Sequence, residues 1–298
     1  MDTSILVATV QESAERYPER AALIAGEQRL SYSELMRQSQ SAALHIAQET
    51  AGDNVGIFLP NSLDFTPYFL GGLWAGKTVA VLPTLAPAPL LKFMSAEAGL
   101  AAVFTSSDLA PRLAEAGIPH VVIKTDYPTA SDFRPRPRDQ QAAVLLYSSG
   151  TTGRPKAVAL SENNLFSNIK GCCEATGFDA RPQVMLAVLP LFHAYGLTVT
   201  LLLPLVSGST VVISERFAPR TVLNTIERHH VTCIVSQPIS RAGDGIDAVR
   251  RQFTVAVHRR RRTPAGNRGA RVQRPLWAPG PSRLRRNGTV ARGVAEYS

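Results

Sequence analysis

The sequence predicts an α/β protein built from doubly wound parallel sheets, and three observations carry that expectation. Short apolar runs alternate with stretches of helical period along most of the chain, as strands joined by helical crossovers require. Runs such as AAVLLY and VMLAV are continuous in apolar residues, the pattern of strands buried on both faces. No internal repeat appears, and 298 residues suffice for a large core.

In chain order, a predicted helix over 3 to 16 precedes the strand AALIAG, and a second helix covers Tyr32 to Gln48. Then follow VGIFLP, a helix over Asp64 to Gly72, TVAVLP, a helix around Pro89 to Ala98, AAVFTS, a short helix near 108 to 116, and HVVIK. Residues 125 to 140, TDYPTASDFRPRPRDQ, hold three prolines without apolar periodicity and read as a connector. The alternation resumes with AAVLLY, a second strand at Ala157 to Leu160, and a helix over 161 to 175 with Ser161 as N-cap. VMLAVLP, a helix over 194 to 206, STVVIS, a helix over 219 to 229 and VTCIVSQ complete the series.

The net charge of +9 suggests a polyanion partner until its distribution is counted. Residues 253 to 298 hold eleven Arg, no Lys and one acid, Glu296, whereas the other 252 residues hold 21 basic and 22 acidic side chains. Cys172, Cys173 and Cys233 make neither a metal-ligand spacing nor a secreted disulfide framework, so they read as buried or incidental thiols. The first twenty residues lack a basic start and an apolar run, so no signal peptide is expected. LTVTLLLPLVSGSTVVI (197 to 213) is interrupted by Pro204 and Ser207-Gly208-Ser209, and each half is too short for a membrane span. A cytoplasmic protein is the expectation.

Chemistry concentrates in LLYSSGTTGRPKAVAL, residues 145 to 160. Gly150 and Gly153 allow the backbone to curl so that successive N–H groups converge on an anion. Ser148, Ser149, Thr151 and Thr152 add hydroxyl donors, and Lys156 adds a positive charge. Such a loop suits a polyphosphate; a plain polar hairpin turn is the competing reading of the bare S-G-T-T-G. The Walker spacing is absent, because Ala157 follows the lysine where a hydroxyl should stand.

The whole string YSSGTTGRPKAV resembles the phosphate-binding signature of the adenylate-forming superfamily, which includes acyl-CoA synthetases, luciferases and peptide-synthetase adenylation domains. RLSYSEL (29 to 35), GGLWAGKTVAVLP (71 to 83) and LPLFHAYGL (189 to 197) resemble further elements of that family, in its order. The resemblance implies ATP-dependent activation of a carboxylic acid, most simply a fatty acid, to acyl-AMP and then acyl-CoA. It implies ATP, Mg2+ and CoA as cofactors, with the acid, ATP and CoA as small-molecule partners. Ser148, Ser149, Gly150, Thr151, Thr152, Gly153 and Lys156 would hold the ATP phosphates, and Phe192, His193, Tyr195 and Gly196 would line the acyl pocket. His229 and His230 read as solvated, and Trp74 as core.

The resemblance runs to about residue 238. Beyond it the family's Gly-Gly-Ala turn, its Y-G-x-T-E string with the Mg2+-binding glutamate, and its mobile lid with a catalytic lysine do not occur in the 298 residues. No catalytic or metal-binding residue is therefore assigned. The expected organisation is an N-terminal portion of the AMP-binding domain over 1–252, cut before that domain closes, and an arginine-rich tail without regular structure over 253–298. Arginine-only basicity is what GC-rich DNA read out of frame yields. With suitable synonymous codons, a one-base shift turns residues 258 to 268 into the missing T-G-G-A turn, so a frameshift is expected there. Three readings stay open on sequence alone: an acid–CoA ligase, an inactive nucleotide-binding fragment, and nucleic-acid binding through the tail.

Overall fold

A computed structural model describes residues 4–127, 142–148, 155–214, 219–236 and 254–257. Its strands form two six-stranded sheets. The first runs β6 (His120–Val122), β5 (Ala102–Thr105), β3 (Asn54–Phe58), β4 (Thr78–Val81), β7 (Val144–Ser148) and β8 (Lys156–Leu160). All its neighbours are parallel except the edge hairpin β7–β8. The second sheet runs β12 (Thr254–Val257), β11 (Cys233–Ser236), β9 (Val184–Ala187), β10 (Thr210–Ile213), β1 (Ala21–Ala25) and β2 (Gln28–Ser31), with antiparallel pairs only at its two edges. The doubly wound α/β expectation is met by two mixed sheets with parallel centres. Strand β12 lies past the boundary placed at 252, and residues 258 to 298 lie outside the described residues, as do 128 to 140 of the connector.

The main core lies where helices α1 (Ile5–Arg16), α2 (Tyr32–Glu49) and α3 (Phe65–Trp74) pack between and against the sheets. Helix α3 is apolar all round, and all ten of its residues are buried, Trp74 at 8 % exposure. Its closest approach to α2 is at Gly71, where a Cβ would meet Ala42 Cβ, Ala43 N and Ser39 O, each at 2.9 Å. A side chain there would push the two helices apart, which explains the glycine of the GGLWAG element.

The SYSEL element has an equally local cause. Ser31 Oγ accepts from Glu34 N at 3.2 Å, and Glu34 Oε2 accepts from Ser31 N at 2.7 Å, a complete capping box that starts α2. The neighbouring Tyr32 is fully buried, and its hydroxyl donates to Ser209 O at 2.7 Å. The other end of α2 is held by buried Lys77, whose Nζ donates to Gly52 O at 2.7 Å and Ala51 O at 3.3 Å. These matched elements shape the scaffold that carries the site.

A polar chain inside this core was not foreseen. His45, 5 % exposed on α2, bonds through Nδ1 to the Tyr68 hydroxyl at 2.8 Å, and its Nε2 stands 3.5 Å from Glu49 Oε1. The Tyr68 oxygen also accepts from Lys124 N at 2.8 Å. Burial first, then the Lys124 charge, holds the His45 pKa below the usual histidine value, outweighing Glu49 and Asp126. The folded state therefore resists protonation that the unfolded chain accepts near pH 6.5. Stability should be complete above that pH and should fall as the pH drops from it toward the lower folded-state pKa. His193 and His229 are shifted in the same direction. His45→Gln isolates the buried contribution: melting temperature from pH 8 to 5 should fall less steeply than in the parent, and an unchanged slope would refute it.

Candidate active site

In open α/β sheets, ligands gather outside the carboxyl ends of the parallel strands. The carboxyl end of β7 carries the phosphate-loop candidate. Ser148, its last residue, pairs in register with Lys156, the first of β8. Both ends are exposed. Among the described residues no carboxylate lies within ion-pairing distance of Lys156. The base of the loop is firm, because the Tyr147 hydroxyl donates to Met94 O at 2.7 Å and ties β7 to helix α4 (Ala88–Glu97). Ser149, Gly150, Thr151, Thr152 and Gly153 lie outside the described residues.

The second candidate set follows the carboxyl end of β9 in the other sheet. Leu189-Pro190-Leu191 leaves the strand, and Phe192 and His193 precede a helical run that starts at Ala194. Leu191 is buried, Phe192 and Tyr195 are half-buried, His193 is exposed and Gly196 is buried. The Phe192 and His193 ring centroids are 4.5 Å apart. Desolvation holds the His193 pKa below its usual value, so the imidazole is neutral at pH 7 and offers one donor and one acceptor. Burial pushes the Tyr195 hydroxyl up to about 12, so it too stays neutral.

Gly196 opens a π-helical stretch, Gly196–Leu202, which passes into the α-helical turn Leu203–Val206. The predicted helix over 194 to 206 is thus present with a wider winding in its middle. Pro204 has no amide proton and its ring crowds the carbonyl four residues earlier, and the wide turns stand directly ahead of it. The packing at Gly196 is tight: a Cβ would stand 2.2 Å from Pro190 O.

Asn61 links the exit of β3 in the first sheet to the element after β9 in the second, and the sequence reading missed it. It lies three residues past β3 in the first sheet. Its Nδ2 donates to Leu189 O at 3.0 Å, and its Oδ1 accepts from Leu191 N at 3.1 Å. An Asn after VGIFLP at a strand exit was a visible signal, but its partner lies 130 residues away. His229 is partly buried and His230 exposed, just past the helix Pro219–Arg228 and far along the chain from both sets. The three cysteines are free; Cys173 and Cys233 are buried, and their thiols are raised to about 12 and about 11, away from reactivity.

The sheet pair, the Ser148–Lys156 pairing and the element after β9 make an α/β scaffold whose candidate residues follow strand ends in both sheets. The AMP-binding enzyme family matches residues 10–239, and the chain belongs to that family. Its relatives are acid–CoA ligases. It is 31% identical over 228 residues to 4-coumarate--CoA ligase-like 6 of Arabidopsis thaliana, covering 68% of this chain and 40% of that one. It is 32% identical over 197 residues to sulfoacetate--CoA ligase of Cupriavidus necator, covering 61% and 38%. The O-succinylbenzoate CoA synthetase of Bacillus subtilis, solved with ATP and a magnesium ion, superposes with a TM-score of 0.68 at 27% identity over 76% of this chain and 62% of that one. The chain thus spans about two fifths of these two ligases' length. Among the described residues no helix is long and apolar enough to cross a membrane.

Proposed function

We propose that the protein of which this sequence is representative activates a carboxylic acid with ATP and passes the acyl group to the thiol of CoA. The acid's carboxylate oxygen attacks the α-phosphorus, forming acyl-AMP and expelling pyrophosphate. The thiol sulfur then attacks the acyl carbon, the C–O bond to AMP breaks, and the thiol proton leaves with solvent or a base. The observation that carries this reading is the exposed Ser148–Lys156 pair closing a Gly/Ser/Thr loop at the carboxyl end of β7.

Of the loop set, the described residues Ser148 and Lys156 are exposed and suit an ATP phosphate. A polyphosphate needs converging donors and an ammonium that no carboxylate has already claimed. Lys156 and the loop from Ser148 through Gly153 would hold the β- and γ-phosphates. Phe192, Tyr195 and Gly196 would wall the acyl side, and neutral His193 could accept the thiol proton. Among the described residues no group of three or more His, Cys, Asp or Glu side chains could hold a metal ion, so no residue is assigned to Mg2+.

For the 298 residues alone, we propose nucleotide-phosphate binding without turnover. Phosphate contacts stabilise ground and transition states alike, so they bind without accelerating. The Y-G-x-T-E string and a lid lysine, which would meet charge developing at the α-phosphorus, do not occur in the sequence. Pyrophosphate release with MgATP and CoA over a panel of fatty, aryl and dicarboxylic acids should stay at background. Turnover that disappears in Lys156→Ala would overturn the inactivity and establish a working ligase.

A further inference from the structure

We propose that Asn61 is a positioning residue that fixes the acyl-side element to the phosphate-side sheet, through its two hydrogen bonds to Leu189 O and Leu191 N. The assignment of that element to the acyl side rests on the function proposed above; the clamp itself rests on geometry alone.

The argument starts from what the two sheets share. The phosphate loop grows from β7, and β7 reaches β3 through β4 by parallel pairing. Asn61 follows β3 at the same carboxyl edge of that sheet. The element bearing Phe192 and His193 grows from β9, which belongs to the other sheet. Among the described residues no backbone ladder joins the sheets, so the relative placement of the two halves rests on side-chain packing and bonding. Asn61 reaches across with both ends of its amide. A donor meets the carbonyl of Leu189 at 3.0 Å, and an acceptor meets the amide of Leu191 at 3.1 Å. These contacts also settle which way the amide points, because only one orientation satisfies both.

The grip falls on either side of Pro190, whose own carbonyl accepts from His193 N at 3.2 Å. Gly196 packs so closely on that same carbonyl that a Cβ there would stand 2.2 Å from it. Leu189 to His193 is therefore held by its own His193–Pro190 bond, by the close approach of Gly196 and by the two bonds from Asn61. No other residue type of this size supplies both a donor and an acceptor. Aspartate has no donor for Leu189 O, and leucine, nearly the same shape, has neither. The type of residue at 61 thus sets the direction of the His193 ring without touching it.

Backbone amide exchange and the His193 ring resonances, followed by NMR on the 298-residue chain, test the inference. In Asn61→Ala the Leu191 amide should exchange at least tenfold faster and the His193 ring carbon resonance should move. The amides of Ile57 in β3 and Leu186 in β9, inside the two sheets, should keep their protection. Asn61→Asp, which keeps the acceptor, should leave Leu191 protected and still move His193. An unchanged Leu191 in Asn61→Ala would overturn the proposal. So would a parallel loss of protection at Ile57, Leu186 and Leu191, because that marks a residue serving global stability only. MgATP titrations of the same samples decide the proposed function separately: if neither form binds ATP, the phosphate-loop reading fails while the exchange result still judges the clamp.

Discussion

Gly196→Ala is expected to destabilise the protein by about 3 kcal/mol, the upper part of the range for forcing atoms into a packed interior. In an ordinary helix the same change stabilises, by up to about 1 kcal/mol, because alanine loses less backbone freedom. The sign reverses here because the new Cβ would lie 2.2 Å from Pro190 O and 2.9 Å from Pro190 C. The obstructing atoms are backbone, and they have little room to retreat, because Asn61 holds the flanking Leu189 O and Leu191 N. The melting temperature should drop by roughly 6 to 12 °C for a chain of this size. A rise, or a fall of less than about 1 °C, would show that the wide helical turn shifts freely.

Lys156→Ala is expected to leave stability nearly untouched and to weaken MgATP binding roughly tenfold to a hundredfold, the span of a lost charge-assisted hydrogen bond. The side chain is exposed on an edge strand and makes no ion pair with a described residue, so the fold gains little from it. Its value lies in an ammonium standing at the mouth of the loop. Lys156→Arg should fall between the two, since it keeps the charge and changes the reach. Added salt should weaken the parent more than the alanine variant. Calorimetric titration at fixed ionic strength measures all three; equal affinities for parent and Lys156→Ala would dismiss the phosphate role.

Much of the architecture was readable from alternation alone, because buried parallel strands and their crossover helices each leave a strong apolar signature. The short strand β2 was not: QRLS has two exposed residues and lies on an edge, so neither a continuous run nor a clean alternation marks it. The π winding after Gly196 was equally silent. Residues 196 to 202 are buried on every side, and a segment without a polar face has no phase from which to read its pitch.

Among the candidate residues, those proposed to act through their own chemistry could be singled out, while those that depend on distant partners could not. Ser148, Lys156 and His193 belong to short strings whose composition speaks for itself. Asn61 gains its meaning only from Leu189 and Leu191, and His45 only from Tyr68 and Glu49. SYSEL and GGLWAG teach the converse lesson. They stood out as clearly as the loop, yet in the structure they cap a helix and let two helices touch.

The pairing of β1 with β10 has a consequence for how the chain comes into being. Leu23 lies opposite Val211, so the second sheet draws one of its inner strands from the beginning of the chain, whereas the first sheet is complete by Leu160. At about 5 to 20 residues per second, a ribosome needs roughly ten to forty seconds to supply Val211 after Leu23 has been made. For that interval the β1–β2 hairpin has no parallel neighbour, and Tyr32 waits for the carbonyl of Ser209. Nascent chains arrested before residue 210 should therefore carry one finished sheet beside an open, apolar strand, and that strand is where a chaperone would take hold.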